Sequence, residues 1–214
     1  MNLRTQYIYF IMQQYPIIKR FFIDPAACDS VIRMNKTTPS YNSRIIENDR
    51  IVYNPKRRKS SSRYILHKHN GLQYIQDRVD MHMFKTHKVY NSSVQMATYH
   101  VGDYFTCHTD GLDDEQLMYF GPQRLWTAVL YLDNFCVGGE TCFPDLDTCI
   151  SPEKGTLVYW PNVNLDGSII HSHRHSSRMV KYGQKNVLVF LYFDTVKPVE
   201  YISDQDTGDS ISIV

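Results

Sequence analysis

Residues 89–110 read VYNSSVQMATYHVGDYFTCHTD. Two runs rich in β-branched and aromatic residues, 89–101 and 103–107, are separated at Gly102, the pattern of successive strands. Similar short runs follow at 125–132, 148–151, 155–160, 168–174 and 186–194, separated by turn-rich stretches. The chain ahead of residue 88 has a different texture. Residues 15–22 read as a strand. Asp24-Pro25 then opens a helix to about Met34, with Asp as the N-cap and Pro in the first helical position. Leu72, Ile75, Val79 and Met83 recur at helical spacing after Asn70, a core-facing helix. Residues 35–60 carry charge and turn formers without a sustained period and read as a long mobile loop. Helices first and strands afterwards make an α+β protein whose β portion is a sandwich or barrel. We expect one domain over 1–214, with a helix-rich N-terminal segment over 1–87, a β core over 88–196 and a polar tail over 197–214.

Composition narrows the partners. With 43% hydrophobic and 21% charged residues, the 214-residue chain can bury an ordinary core. The formal net charge of +1 gives no reason to expect nucleic acid or an anionic membrane as partner. Lys56-Arg57-Arg58-Lys59 is a local basic cluster, either a solvated loop or a contact for an acidic partner. The apolar stretch Tyr7 to Met12 is too short for a membrane span and unconvincing as a signal peptide, so a soluble intracellular protein is the expectation. The five cysteines (Cys28, Cys107, Cys136, Cys142, Cys149) fit no zinc spacing. Cys142 and Cys149 lie at hairpin distance, but free thiols are expected.

The chemistry concentrates at the end of the quoted stretch. On a strand, i and i+2 share a face, so His108 and Asp110 can hold one ion together. His-x-Asp alone is weak; a third, distant ligand is needed. His171, His173 and His175 alternate on what reads as a strand, and sequence physics does not choose among them. Two histidines and a carboxylate would form the facial triad of non-haem iron enzymes, which leaves positions open on the metal. Ten residues further on, Lys185 enters the apolar run Lys185-Asn-Val-Leu-Val-Phe-Leu191. A lysine in a buried strand calls for an anionic partner. A solvated lysine at a strand end is the alternative.

Together these residues resemble the prolyl 4-hydroxylase family of Fe(II)/2-oxoglutarate-dependent dioxygenases, from about Tyr15 to Asp194. Tyr99-x-x-Gly102 before His108-x-Asp110 resembles the proximal motif. Arg124-x-x-Thr127 with Tyr131-Leu132-Asp133 resembles the next strand, and Gly138-Gly139-Glu140-Thr141-x-Phe143-Pro144 the family's Gly-Gly-Glu-Thr segment. Gly155 to Trp160 resembles the strand after it. His175, Val180, Gly183 and Lys185 stand at the distances of the distal motif, which selects His175.

The resemblance implies a double-stranded β-helix (jelly-roll) core with supporting N-terminal helices. It implies Fe(II) on His108, Asp110 and His175, and 2-oxoglutarate with its far carboxylate on Lys185. Tyr99 and Tyr131 would donate hydrogen bonds to the cosubstrate, with Thr127 a further candidate for the same pocket. L-Ascorbate is implied as reductant and a proline-containing peptide as substrate, with loop 35–60 closing over it. Arg124, Tyr104 and Tyr192 are the candidate substrate contacts. The departures from the family cluster on the substrate side: Phe105 where a tyrosine is usual, Leu191 where a tryptophan is usual, Ser92 for a glutamate, Met179 for a proline and Lys59 for an arginine. The same chemistry on another side chain such as lysine, or a silent jelly-roll binding module, are the competing readings.

Overall fold

The computed structural model describes residues 15–65, 70–84, 91–134 and 136–194. The apolar stretch 7–12 and the tail from 197 lie outside these residues. In chain order the elements begin with β1 (Ile17–Lys19) and α1 (Pro25–Met34). Then come β2 (Tyr41–Asn42), β3 (Ile45–Glu47), β4 (Arg50–Val52), β5 (Arg58–Lys59), β6 (Ser61–Tyr64) and α2 (Asn70–Phe84). The long strands β7 (Asn91–Tyr99) and β8 (Tyr104–His108) precede α3 (Asp114–Phe120) and β9 (Arg124–Tyr131). The chain continues through β10 (Cys136–Gly138), β11 (Thr141–Phe143), β12 (Thr148–Ile150) and β13 (Leu157–Pro161). It ends with β14 (His175–Ser177), β15 (Val180–Gly183) and β16 (Lys185–Phe193).

Local chemistry explains the helices. Asp24 caps α1 by accepting from the Ala26 amide, with Pro25 in the first turn. Asp113 and Gln116 close a reciprocal capping box on α3. Leu72, Ile75 and Val79 of α2 are buried along one face, as their spacing predicts.

A seven-stranded antiparallel sheet, in the order β1-β13-β9-β16-β7-β6-β2, lies against a five-stranded one, β12-β11-β14-β8-β5. This is the jelly-roll core. The large sheet serves two cores at once, and strand alternation divides its side chains between them. On β9, Trp126, Ala128 and Leu130 face α1 and α2, while Val129 and Tyr131 face the second sheet. On β16, Leu188, Phe190 and Tyr192 join the helix-side core and Val187 the inter-sheet core. Ile75 is fully buried in the helix-side core. We expect Ile75→Ala to lower unfolding free energy by about 2–5 kcal/mol, read from the urea midpoint, because the helix cannot collapse onto the sheet to fill the void.

Three sequence expectations need correction. Residues 35–60 are not structureless; they form the short strands β2 to β5, with β3 and β4 paired as a hairpin and β5 paired to β8. Residues 168–174 are not a strand: Ile169 makes an isolated bridge to Val163, and His171–His173 form a 3-10 turn. Cys142 and Cys149 are not free thiols; they face each other across the β11–β12 hairpin and form a disulfide.

Candidate active site

β8 and β14 run antiparallel and set His108 opposite His175. Ser177 pairs with Phe105, so two steps on β14 answer three on β8. That bulge turns both Phe105 and His108 into the interior. The Phe105 ring stacks on His108 at 3.7 Å and 16°, and the Arg58 guanidinium covers the outer side of Phe105 at 4.7 Å. Trp160 packs edge-on to His175 at 4.6 Å.

Each histidine is oriented by a backbone carbonyl. The Nδ1 atom of His108 lies 2.9 Å from the Thr106 oxygen, and that of His175 lies 3.1 Å from the His173 oxygen. A carbonyl only accepts, so each Nδ1 carries a proton, and in the neutral ring that leaves the lone pair on Nε2. Those two Nε2 atoms lie 3.5 and 3.6 Å from the carboxylate of Asp110. The three ligand atoms fall within 4.8 Å of one another, and no other His, Cys, Asp or Glu joins the cluster among the described residues.

The protonation states suit a cation. Burial pushes the Asp110 carboxyl up, but His175, the His108 hydrogen bond and Arg124 outweigh it, leaving it well below the usual carboxylate range. Burial and then His108 push His175 down to about 4. Near neutral pH His175 is therefore a neutral imidazole beside the Asp110 carboxylate, so at these two ligands a divalent ion displaces no proton. Two nitrogens and one oxygen with no fourth ligand make an open site, unlike a closed structural zinc centre.

Lys185 opens β16 at 2% exposure. Its Nζ donates to the Gly139 carbonyl at 2.7 Å and the Ser177 hydroxyl at 2.9 Å, both neutral. The ammonium also sits 5.1 Å from the Tyr99 ring centre and 5.6 Å from that of Tyr131. Burial pushes its pKa down to about 8. Gly138 and Gly139, both with positive φ, turn the chain so that the Gly139 carbonyl reaches Lys185; a side chain at 138 would strike the Met179 carbonyl at 2.2 Å. A buried cation whose hydrogen-bond acceptors are a carbonyl and a hydroxyl is a socket for an anion.

His108, Asp110, His175 and Lys185 share one cavity of about 930 Å³ with Tyr99, Thr127 and Arg124. Tyr131 stands one layer back, donating its hydroxyl to Thr141 at 2.6 Å, and Thr141 lines the cavity in its place. Thr127 donates to Asp110 Oδ2 at 2.7 Å, so its hydroxyl is engaged at the metal cluster. Arg124 donates to the Asp110 carbonyl at 3.3 Å. Two expected substrate contacts are not brought to the cavity. Tyr104 points outward and donates to the Pro55 and Lys56 carbonyls, and Tyr192 points to the helix side and donates to Asp80. Their neighbours Phe105 and Leu191 line the cavity instead, as strand alternation requires.

The basic cluster is largely engaged within the chain. Arg57 pairs with Glu47, Arg58 lies on Phe105 and donates to Gln95, and Lys59 pairs with Asp103. Of the three alternating histidines, His175 alone joins the metal cluster. His173 is buried with Nδ1 on the Pro161 carbonyl, and His171 is exposed at the cavity wall. Thr141 and Ser177 were not among the residues that the sequence singles out. Thr141 belongs to the Gly-Gly-Glu-Thr segment and Ser177 lies between His175 and Val180, but only the register Thr141↔Ser177 shows that they meet beside Lys185.

Comparison with known proteins agrees with this geometry. Residues 94–193 match the 2OG-Fe(II) oxygenase superfamily. The alpha-1 subunit of prolyl 4-hydroxylase from Gallus gallus is 34% identical over 96 residues, covering 43% of this chain and 19% of that subunit. The match thus spans about a fifth of the length of such relatives. The viral collagen prolyl hydroxylase of Paramecium bursaria Chlorella virus-1, solved as a 2OG complex, superimposes with a TM-score of 0.69 at 26% identity, covering 85% of this chain and 97% of that one. The Trichoplax adhaerens prolyl hydroxylase, solved with a peptide fragment of the hypoxia inducible factor oxygen degradation domain, gives a TM-score of 0.66 at 16% identity, covering 91% and 94%, a likeness of fold alone.

Proposed function

We propose, for a chain that belongs to the 2OG-Fe(II) oxygenase superfamily, that it hydroxylates proline in a peptide and couples this to the decarboxylation of 2-oxoglutarate to succinate. The observation that carries the proposal is the pairing, in one cavity, of an open two-histidine, one-carboxylate cluster with the buried ammonium of Lys185. His108, Asp110 and His175 would hold Fe(II), which when bound supplies the activation of dioxygen. Over one cycle 2-oxoglutarate, dioxygen and a C–H bond become succinate, carbon dioxide and C–OH, so the cosubstrate provides the two electrons the substrate does not.

The chain's own residues bind, orient and shield. Lys185 holds the far carboxylate of 2-oxoglutarate, with Tyr99 and Thr141 on the flanks of the pocket. Trp160 and Phe143 pack around His175 and keep water from its inner side. Arg124, Phe105 and Leu191 face the space left for substrate, walled by Ile45, Ile46 and Ile51 of the β3–β4 hairpin. We assign that hairpin the role of closing over the peptide. Ascorbate would serve as the reductant that keeps the iron ferrous. Phe105 and Leu191, where the family has Tyr and Trp, favour a second reading: the same chemistry on another peptide side chain.

The test is succinate release from 2-oxoglutarate with Fe(II) and ascorbate, with and without proline-rich peptides, and product mass. Peptide-stimulated release with a gain of about 16 Da on proline, one oxygen atom, supports the proposal. Uncoupled succinate with unmodified peptide favours the second reading. No succinate from iron-loaded protein sinks both.

A further inference from the structure

The carboxylate of Asp110 does not stand alone in the cavity wall. Its Oδ2 accepts from the Thr127 hydroxyl at 2.7 Å, and the same Thr127 oxygen accepts from the side-chain amide of Asn162 at 2.9 Å. Thr127 is 1% exposed and Asn162 3%. Asn162 follows directly on β13, whose Trp160 pairs with Thr127 across β9. Backbone bonds on both sides fix Asn162: its amide donates to the Leu125 carbonyl and its carbonyl accepts from the Ile170 amide, each at 2.9 Å. A Cβ on Gly111, the residue after Asp110, would lie 3.2 Å from that carbonyl, so the segment bearing the ligand is pressed against Asn162.

A hydroxyl has one proton and a limited set of directions for it. With the Asn162 amide donating into the Thr127 oxygen, the Thr127 proton is left to Asp110. We propose that Asn162 is a positioning residue for the metal cluster. It acts through Thr127 to fix one oxygen of Asp110, leaving the other for the ion, so that the carboxylate takes up one position on the metal. This rests on the proposed metal-binding function and deepens it. Asn162 touches neither the ion nor the cosubstrate in this arrangement; it sets the angle of a group that does.

Hydrogen-bond partners one shell out from a metal ligand typically change affinity about 10–100-fold when lost. The experiment is anaerobic Co(II) titration of the full chain, reading dissociation constant and visible ligand-field spectrum, with circular dichroism to confirm folding. Asn162→Ala is expected to weaken Co(II) binding about tenfold and alter the spectrum. Asn162→Leu, which leaves no void, is expected to do the same. Thr127→Val should cost at least as much, and Thr127→Ser should restore binding. In the Thr127→Val background, Asn162→Ala should add nothing, because its path to Asp110 is already cut. Unchanged affinity and spectrum in both Asn162 variants overturn the proposal. So does an equal loss from Asn162→Ala with and without the Thr127 hydroxyl. If the unsubstituted chain binds no Co(II), it is the metal-binding function itself that fails.

Discussion

Lys185→Met is expected to raise the 2-oxoglutarate concentration needed for half-maximal turnover by about thirtyfold or more, with little change in Fe(II) affinity. Removing one partner of a buried, hydrogen-bonded charge pair costs about 2–5 kcal/mol, and each 1.4 kcal/mol is about tenfold in affinity. The size follows from where the lysine sits. It is 2% exposed, and its ammonium donates to the Gly139 carbonyl and the Ser177 hydroxyl, neither of which carries charge. Tyr99 and Thr141, its neighbours in the pocket, offer only hydroxyls, which do not neutralise a carboxylate. Methionine matches the aliphatic stem, so the loss reports charge and not a collapsed wall. The check is the 2-oxoglutarate dependence of succinate release, with Co(II) titration as the control for the metal. An unchanged 2-oxoglutarate requirement would remove Lys185 from the pocket.

The same lysine leaves a signature in the ligand-free protein. Burial lowers its folded pKa from the ordinary lysine value of 10.5 to about 8. Below pH 8 both folded and unfolded chains hold the proton, and the full cost of burying the charge is present. Between pH 8 and 10.5 the unfolded chain binds more protons than the folded one, so stability rises with pH across this window. The rise attributable to Lys185 is about 3 kcal/mol, since a tenfold change in proton affinity is about 1.4 kcal/mol. Urea midpoints at about pH 7.5 and 10, taken as the difference between the parent chain and Lys185→Met, isolate it from other titrating groups. Saturating 2-oxoglutarate should flatten the difference, because the bound carboxylate restores the charged form. A parent chain whose stability tracks that of Lys185→Met at both pH values would contradict an ammonium whose burial outweighs the charges near it.

What could be read from the sequence depended on the length of the pattern. The long strands β9 and β16 are largely apolar over eight and nine residues and buried on both faces, enough to declare strands and a core. α1 and α2 were marked by cap and periodicity. His108 and Asp110 were marked only weakly by their spacing and Lys185 by its place at the head of an apolar run; the family resemblance is what joined them into one site, and β8 in fact ends at His108. His175 was not separable from its neighbours by spacing, and the reason is now physical: residues 171–173 form a 3-10 turn, so the alternation that would put three histidines on one face does not exist. Tyr104 and Tyr192 failed for the opposite reason. Adjacent strand residues point to opposite faces, so a tyrosine beside the required position cannot replace one in it. The disulfide and the strands within 35–60 were hidden because β11, β12 and β2 to β5 are two or three residues long, too short for a period. Thr141, Ser177 and Asn162 gain their meaning from partners brought together by register, which no local pattern encodes.

The distal histidine is the sharpest place to test the site. His175→Ala and Asp110→Ala are each expected to cut turnover at least about a thousandfold, more than the loss of a supporting partner costs, and to abolish tight Co(II) binding. His175 supplies one of only three ligands; burial keeps it neutral and a backbone carbonyl fixes its Nε2 toward Asp110. His171→Ala should leave Co(II) binding intact, since that side chain is exposed at the wall and outside the cluster. His173→Ala should lower the urea midpoint, because a buried ring and its bond to the Pro161 carbonyl are lost. Co(II) should still bind it at one equivalent, for it is the His173 backbone oxygen, untouched by the substitution, that orients His175. The outcomes separate a folding role from a ligand role without assaying turnover. Full Co(II) binding by His175→Ala, with loss in His173→Ala, would move the third ligand to His173 and with it the register of β14 against β8. Retained stoichiometry in all three histidine variants would mean that the ion, if bound, is held elsewhere.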